Sequence, residues 1–199
     1  GSVSFSIIFS KKFAGFDVRE KGSKNAGSTN VLRTVGKKAA VLTLICDILK
    51  GVAAVLIAYL VAIGIEESLI NRSLLIQLAG VFVIIGHTFP IYFKFKGGKG
   101  VATSLGVLLM VNWQIGLICL VFALLLMALT RTVSIGSIAA ALLFPVLTIF
   151  IGQNYIIPGN YIIFGVIVAV FVIFNHRENV QRILTGQENK LSFGKSKLN

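Results

Sequence analysis

Long apolar runs broken by short polar joints dominate this sequence. A brief apolar stretch over residues 3–9 opens the chain and reads as the end of a first helix whose beginning precedes Gly1. A stretch rich in Gly, Asn, Ser and Lys follows over 10–38. Further apolar runs predict helices over 39–65, 74–93, 101–111, 115–130, 134–152 and 161–174. A helix needs about 20 mostly apolar residues to cross a bilayer. Most of these runs approach that length, and the run over 101–111 is short enough to be expected to tilt or re-enter. The joints between them fall at 66–73, 94–100, 112–114, 131–133 and 153–160, and a polar tail runs from 175 to 199. Trp113 suits an anchor at the membrane interface, and Pro145 predicts a kink in the sixth run. Neither an inverted repeat nor a signal-peptide pattern is visible. The expectation is an all-α integral membrane protein with seven transmembrane helices, the first truncated at its N-terminus, forming one polytopic domain over 1–199.

Composition narrows the class further. Of 199 residues 56% are apolar and 13% charged, with a mean hydropathy of +0.90. Soluble domains carry about 25% charged residues, so an ordinary soluble globule is excluded, and so is a disordered chain. Cys46 and Cys119 both lie in apolar runs, without the spacing of a disulfide framework or a metal site.

Few charges remain, yet 19 are basic and 7 acidic, for a net +12. The first joint is strongly basic, the second slightly acidic through Glu66, Glu67 and Arg72, and the third basic through Lys94, Lys96 and Lys99. The fifth holds Arg131, the tail is basic, and the fourth and sixth are uncharged. Asp47 and Lys50 cancel inside the second run; a neutralising pair is the simple reading, and an Asp47 that orients a basic group is the alternative. Basic and non-basic joints therefore alternate. Positive joints are retained on the cytoplasmic side, which predicts an outside N-terminus and a cytoplasmic C-terminus. It also gathers the polar motifs on one face.

Three such motifs stand out. The first is Gly22-Ser23-Lys24-Asn25-Ala26-Gly27-Ser28-Thr29-Asn30-Val31-Leu32-Arg33. Glycines permit close backbone approach to an oxyanion, Ser, Thr and Asn supply neutral donors, and Arg33 offers a planar fork for phosphate. The second is Gly86-His87-Thr88-Phe89-Pro90, then Phe95-Lys96-Gly97-Gly98-Lys99-Gly100-Val101-Ala102-Thr103. Glycines around Lys99, opening into a helix, suit an anion cradle of N–H groups and an ammonium. A P-loop is absent, and Gly194-Lys195-Ser196 fails its pattern because Asn189 holds the earlier glycine position. The third is His176-Arg177-Glu178-Asn179, followed by Arg182, Gly186 and Glu188; on a helix Asn175, Asn179 and Arg182 share a face. Each motif also has a bland reading: positive-inside retention, a tight basic turn, and a solvated juxtamembrane helix.

Together the strings GSKNAGSTNVLR, GHTFPIYFKFKGGKGVAT and HRENVQRILTGQE resemble the PlsY family of bacterial acyl-phosphate:glycerol-3-phosphate acyltransferases, and the resemblance runs through almost the whole chain. One departure is Lys24, where the family often has Gly. The resemblance implies a seven-helix inner-membrane enzyme with its site at the cytoplasmic side. Such enzymes move an acyl chain from acyl phosphate to the 1-hydroxyl of glycerol 3-phosphate, releasing lysophosphatidate and phosphate, the first step of membrane phospholipid synthesis, without a metal or organic cofactor. It implies catalytic roles for Ser23, Arg33, Lys99, His176 and Asn179. Substrate-phosphate binding is implied for Asn25, Thr29, Asn30, Gly97, Gly98, Gly100, Ser134, Arg177 and Glu188.

Acyl phosphate is already activated, so a strong protein nucleophile is not required, and neither Cys lies in a polar loop. The H-x-x-x-x-D dyad of other glycerophosphate acyltransferases is missing, since Tyr92 stands at the acid's place after His87. Two rivals are an anion or phosphate transporter and a non-catalytic scaffold for anionic lipid. A transporter would place polar residues at mid-depth in several helices, whereas mid-run charge here is limited to Asp47 and Lys50. A scaffold explains the basic charge but not the Gly/Ser/Asn cluster.

Overall fold

A computed structural model describes residues 1–66, 69, 71–151, 155–157 and 159–191. Among them the chain is all-helical: α1 (Phe5–Ala14), a 3-10 turn (Val18–Glu20), α2 (Ser28–Thr34), α3 (Lys37–Gly64), α4 (Arg72–Thr88), a second 3-10 turn (Ile91–Phe93), α5 (Val101–Val111), α6 (Trp113–Thr130), α7 (Val133–Ile151), α8 (Ile162–Asn175) and α9 (Arg177–Leu184). The joints at 66–73 and 153–160 lie partly outside the described residues, and Gly194-Lys195-Ser196 wholly so.

Local chemistry sets the boundaries. Asn71 caps α4 by accepting Leu74 N–H at 2.9 Å. Asn112 accepts from both Gln114 and Ile115 N–H at 3.1 Å, a cap of about 1 kcal/mol, so one residue suffices to join α5 to α6 where a three-residue turn was expected. α4 stops at Thr88 because Pro90 follows, and the expected helix over 74–93 ends in a 3-10 turn instead. α1 runs on to Ala14, past the expected end at residue 9. Buried Ser10 returns its hydroxyl to Ile7 O at 3.1 Å, and Lys11 and Lys12 in the last turn favour the negative end of the helix. The first polar stretch contains α2, and the tail begins with α9, two helices that their polarity does not suggest. The other expected boundaries agree to within two residues.

α3, α4 with its following turn, α6 and α7 are long and apolar enough to cross a membrane, and α8 joins them if counted with α9 across a 60° bend. With 28 residues α3 is about 42 Å long, against a hydrocarbon core of about 30 Å. α5 has 11 residues, about 16 Å, too few to cross as a straight helix. It is instead seated on α3 through glycine. A Cβ at Gly51 would collide with Thr103 O and lie 3.1 Å from Val107 N, and one at Gly106 would collide with Ile48 O. Such close approach is how helices in lipid gain packing energy without a hydrophobic drive. Large apolar side chains such as Phe82, Leu129 and Phe150 stay exposed on the outer faces, as helices apolar all round must be when lipid is the solvent.

One apolar core lies among the long helices, around Val55, Ile76, Val107, Ile115 and Phe164. A second, smaller core joins Ile7, Val18, Ala26, Val31, Ala39 and Ala40. This cluster seats the first motif against α1 and α3.

Lys24 in that motif sits at φ 57, a left-handed conformation that costs a side-chain-bearing residue about 1–2 kcal/mol. Lys24→Gly should therefore raise the melting temperature in detergent by about 1–3 °C, the greater unfolded-state entropy of Gly offsetting part of the gain. A lower melting temperature would mean that the lysine is not strained.

Candidate functional site

The first motif is organised by one buried side chain. Asn30 Nδ2 donates to Val18 O at 2.9 Å, Lys21 O at 3.0 Å and Asn25 O at 3.1 Å, while its Oδ1 accepts Ser23 N–H at 3.0 Å. Its amide is thereby committed to the loop, so Asn30 shapes the site and does not offer itself to phosphate. Asn25 lines the cavity described below, Thr29 is half-buried on α2, and Ser23 is exposed. Arg33 is exposed on the last turn of α2 and donates from Nη2 to Asn189 O at 3.2 Å.

The Gly-rich segment departs from the expected cradle. Gly97 N–H donates to Thr88 O at 2.9 Å and Gly98 N–H to His87 O at 3.2 Å. These donors tie the loop to the end of α4 and are not open to an anion. The glycines serve close approach: a Cβ at 97 would collide with His87 O, and one at 98 with His87 Nε2. Gly100, at φ 87, turns the chain into α5, whose first residues Val101 and Ala102 line the cavity. Their N–H groups belong to the helix's unpaired first turn.

Lys99 Nζ donates to Asn179 Oδ1. The same amide donates from Nδ2 to Glu188 Oε1 at 2.9 Å, and Glu188 Oε2 accepts Arg182 Nε at 3.0 Å. The chain Lys99–Asn179–Glu188–Arg182 thus joins the second and third motifs. Burial, with Arg182 adding repulsion, pushes the Lys99 ammonium down to about 8. Burial also pushes His176 down to about 4, so the imidazole is neutral at neutral pH. Its Nδ1 lies 2.8 Å from Val172 O. A carbonyl can only accept, so the proton sits on Nδ1 and Nε2 is left as an acceptor.

Of these groups Lys99 and His176 stand at one end of a cavity of about 520 Å³. Asn25, Ser28, Lys99 and His176 line it there, and Leu105, Leu120, Met127, Phe144 and Val168 line it deeper between α5, α6, α7 and α8. Val168 is two turns below His176 on α8. The arrangement offers cationic and hydrogen-bonding groups for phosphate beside room for an alkyl chain.

Not every expected residue joins them. Arg177 is exposed, donates to Phe174 O at 3.2 Å and stacks on the Phe174 ring at 4.7 Å. Ser134 is buried beside the cavity-lining Val133, and its hydroxyl has no hydrogen-bond partner among the described residues. His87 of the second motif and Asp47, whose alternative reading is to orient a basic group, also line the cavity. Asp47 Oδ1 lies 2.8 Å from Lys50 Nζ and 3.5 Å from His87 Nδ1. The i, i+3 spacing signals the Asp47–Lys50 pair, but nothing in the sequence announces that His87 arrives from another helix. Arg182 was legible only as a member of the Asn179 face.

The basic joints meet on one face. Arg33 reaches Asn189, Lys99 reaches Asn179, and Leu191 N–H donates to Arg131 O at 2.7 Å. Among the described residues no group of three His, Cys, Asp or Glu is placed to hold a metal.

Comparison with known proteins bears on this geometry. Residues 1–186 match a family model described as glycerol-3-phosphate acyltransferase. A protein of that name from Clostridioides difficile (strain 630) is 44% identical over 96% of this chain and 90% of its own length. One from Shouchella clausii (strain KSM-K16) is 41% identical with the same coverages. The crystal structure of PlsY (YgiH), an integral membrane glycerol 3-phosphate acyltransferase, in its glycerol 3-phosphate form, superposes with a TM-score of 0.81 at 36% identity, covering 96% of this chain and 92% of that one. Its lysophosphatidic acid form gives 0.81 at 34% identity, covering 96% and 89%.

Proposed function

This chain belongs to the glycerol-3-phosphate acyltransferase family, and from that premise we propose that its acyl donor is an acyl phosphate. The protein is a multi-pass membrane acyltransferase that esterifies glycerol 3-phosphate to lysophosphatidate. In the proposed arrangement one domain of seven membrane segments, α1 and α3 to α8, sits in the bacterial inner membrane with the N-terminus outside and the C-terminus cytoplasmic. The alternation of basic joints, and their meeting on one face, support placing the site at the cytoplasmic surface.

The observation that carries the donor assignment is Lys99, held by Asn179 at the polar end of an apolar cavity. Acyl phosphate needs both halves, a cation for its phosphate and an apolar slot for its chain. In the reaction the 1-hydroxyl oxygen attacks the acyl carbon and a C–O ester bond forms. The bond from that carbon to the phosphate oxygen breaks, and the departing phosphate takes the hydroxyl proton. No acyl-enzyme forms. Neutral His176 orients the hydroxyl by accepting at Nε2, Lys99 and Arg33 hold the phosphates with Ser23 and Asn25, and Glu188 fixes Asn179. The protein's contribution is proximity and charge.

Phosphate release from palmitoyl phosphate and glycerol 3-phosphate, run beside acyl-CoA and acyl-carrier-protein thioesters, tests this. Turnover with acyl phosphate alone is expected; turnover only with a thioester overturns the donor assignment. Cys46→Ala with Cys119→Ala should keep turnover within about twofold, since Cys119 meets the cavity only as an apolar wall. Its loss would point to thioester chemistry on the enzyme.

A further inference from the structure

Arg19 stands outside the cavity, yet it holds the loop that carries Lys99, and we propose that it is a positioning residue for acyl transfer. The inference rests on the acyltransferase reading above. Arg19 lies in the 3-10 turn Val18–Glu20. Asp17 grips one edge of its guanidinium, Nε to Oδ1 at 2.9 Å and Nη2 to Oδ2 at 2.7 Å, and also accepts Arg19 N–H at 3.0 Å. The remaining Nη1 donates to Phe93 O at 2.7 Å and Lys96 O at 3.0 Å. Four of the five guanidinium N–H groups are thus used, two on a carboxylate and two on carbonyls of a distant loop.

Those two carbonyls bracket Lys94 and Phe95, whose φ values are 58 and 56. Successive left-handed residues with side chains persist only where the surroundings over-determine them. Arg19 supplies that constraint across the two strained positions. Beyond them Gly97 and Gly98 are pinned to the end of α4, and Lys99 follows. The loop is therefore fixed at both sides just before the ammonium, and Lys99 emerges facing Asn179. The brace also links motifs: Val18 and Lys21, on either side of Arg19, give the carbonyls that Asn30 binds. Arg19 thus ties the segment that Asn30 organises to the Gly-rich loop. The Arg19 guanidinium holds the Asp17 carboxyl below the usual carboxylate range, so the pair stays charged at neutral pH.

Arg19→Ala, purified in detergent and assayed with glycerol 3-phosphate and the donor that the wild-type protein accepts, should lose at least about tenfold in kcat/KM. Its melting temperature should stay within a few degrees of wild type, and added guanidinium ion should restore part of the lost rate. Arg19→Lys should recover little, because an ammonium cannot hold a carboxylate edge and two carbonyls together. Wild-type turnover in Arg19→Ala overturns the proposal. So does a loss that follows a fallen melting temperature and is not rescued by guanidinium, which would make Arg19 merely structural. If the wild-type protein itself ignores acyl phosphate, the donor assignment fails, and the same variants run on the thioester still decide the role of Arg19.

Discussion

Lys99→Ala should lower kcat/KM by about a thousandfold, the scale on which removing one donor that stabilises developing charge acts. The expectation follows from where the ammonium stands. It is half-buried, oriented by Asn179 and Glu188, and its own hydrogen bond reaches across from α5's N-terminal loop to α9. In partly excluded surroundings a charge meeting phosphate is worth far more than at a wet surface. The same burial sets a pH signature. With Lys99 pushed down to about 8, the charged form is present below that pH and lost above it. The kcat/KM profile, which reports the free enzyme, should therefore fall on its basic limb near pH 8. In kcat the limb should move higher, since bound phosphate favours the ammonium. Lys99→Arg keeps a charge that does not titrate in this range, so whatever activity it retains should lack the limb. An alanine variant that works, or a limb unmoved in the arginine variant, would remove Lys99 from the chemistry.

Arg33→Ala should cost about a hundredfold in kcat/KM for glycerol 3-phosphate, chiefly through KM. Arg33 is exposed, and among the described residues it donates to the Asn189 carbonyl, beside Glu188. In its proposed role the guanidinium takes phosphate in a forked, charge-assisted pair, an interaction stronger than a neutral hydrogen bond. Surface substitutions usually change stability by no more than about 0.5 kcal/mol, so the variant should insert and melt like wild type, and lost affinity cannot be put down to misfolding. Arg33→Lys should recover part of the loss, keeping the charge but not the fork. Unchanged KM in Arg33→Ala would assign glycerol 3-phosphate to other cations.

Both residues stand out in the sequence, one because it closes a Gly/Ser/Asn cluster, the other because three glycines surround it. Their partners do not. Asn179 and Glu188 are nine residues apart, and Gly186 between them turns at φ 70, so the contact depends on how the chain leaves α9. The glycines around Lys99 illustrate the opposite error. Their spacing suits an anion cradle, but Gly97 and Gly98 spend their N–H groups on α4 and their missing Cβ atoms on His87. Asn30 looks like a donor for substrate and is consumed by three backbone carbonyls. A residue type states what bonds it can make; the fold decides who takes them.

Hydropathy and charge, being local properties of the chain, determined most of the architecture without any coordinates. The apolar runs located the helices to within two residues in most cases, because in lipid each helix must satisfy its own backbone and show apolar side chains along its whole length. The alternation of basic joints anticipated that the motif-bearing segments would share a face. Only tertiary structure decided which side chains meet there. Arg19 with Phe93 and Lys96, His87 with Asp47, and Lys99 with Asn179 are contacts between segments far apart in sequence. They depend on helix packing distances of a few ångströms, and no periodicity along the chain encodes those.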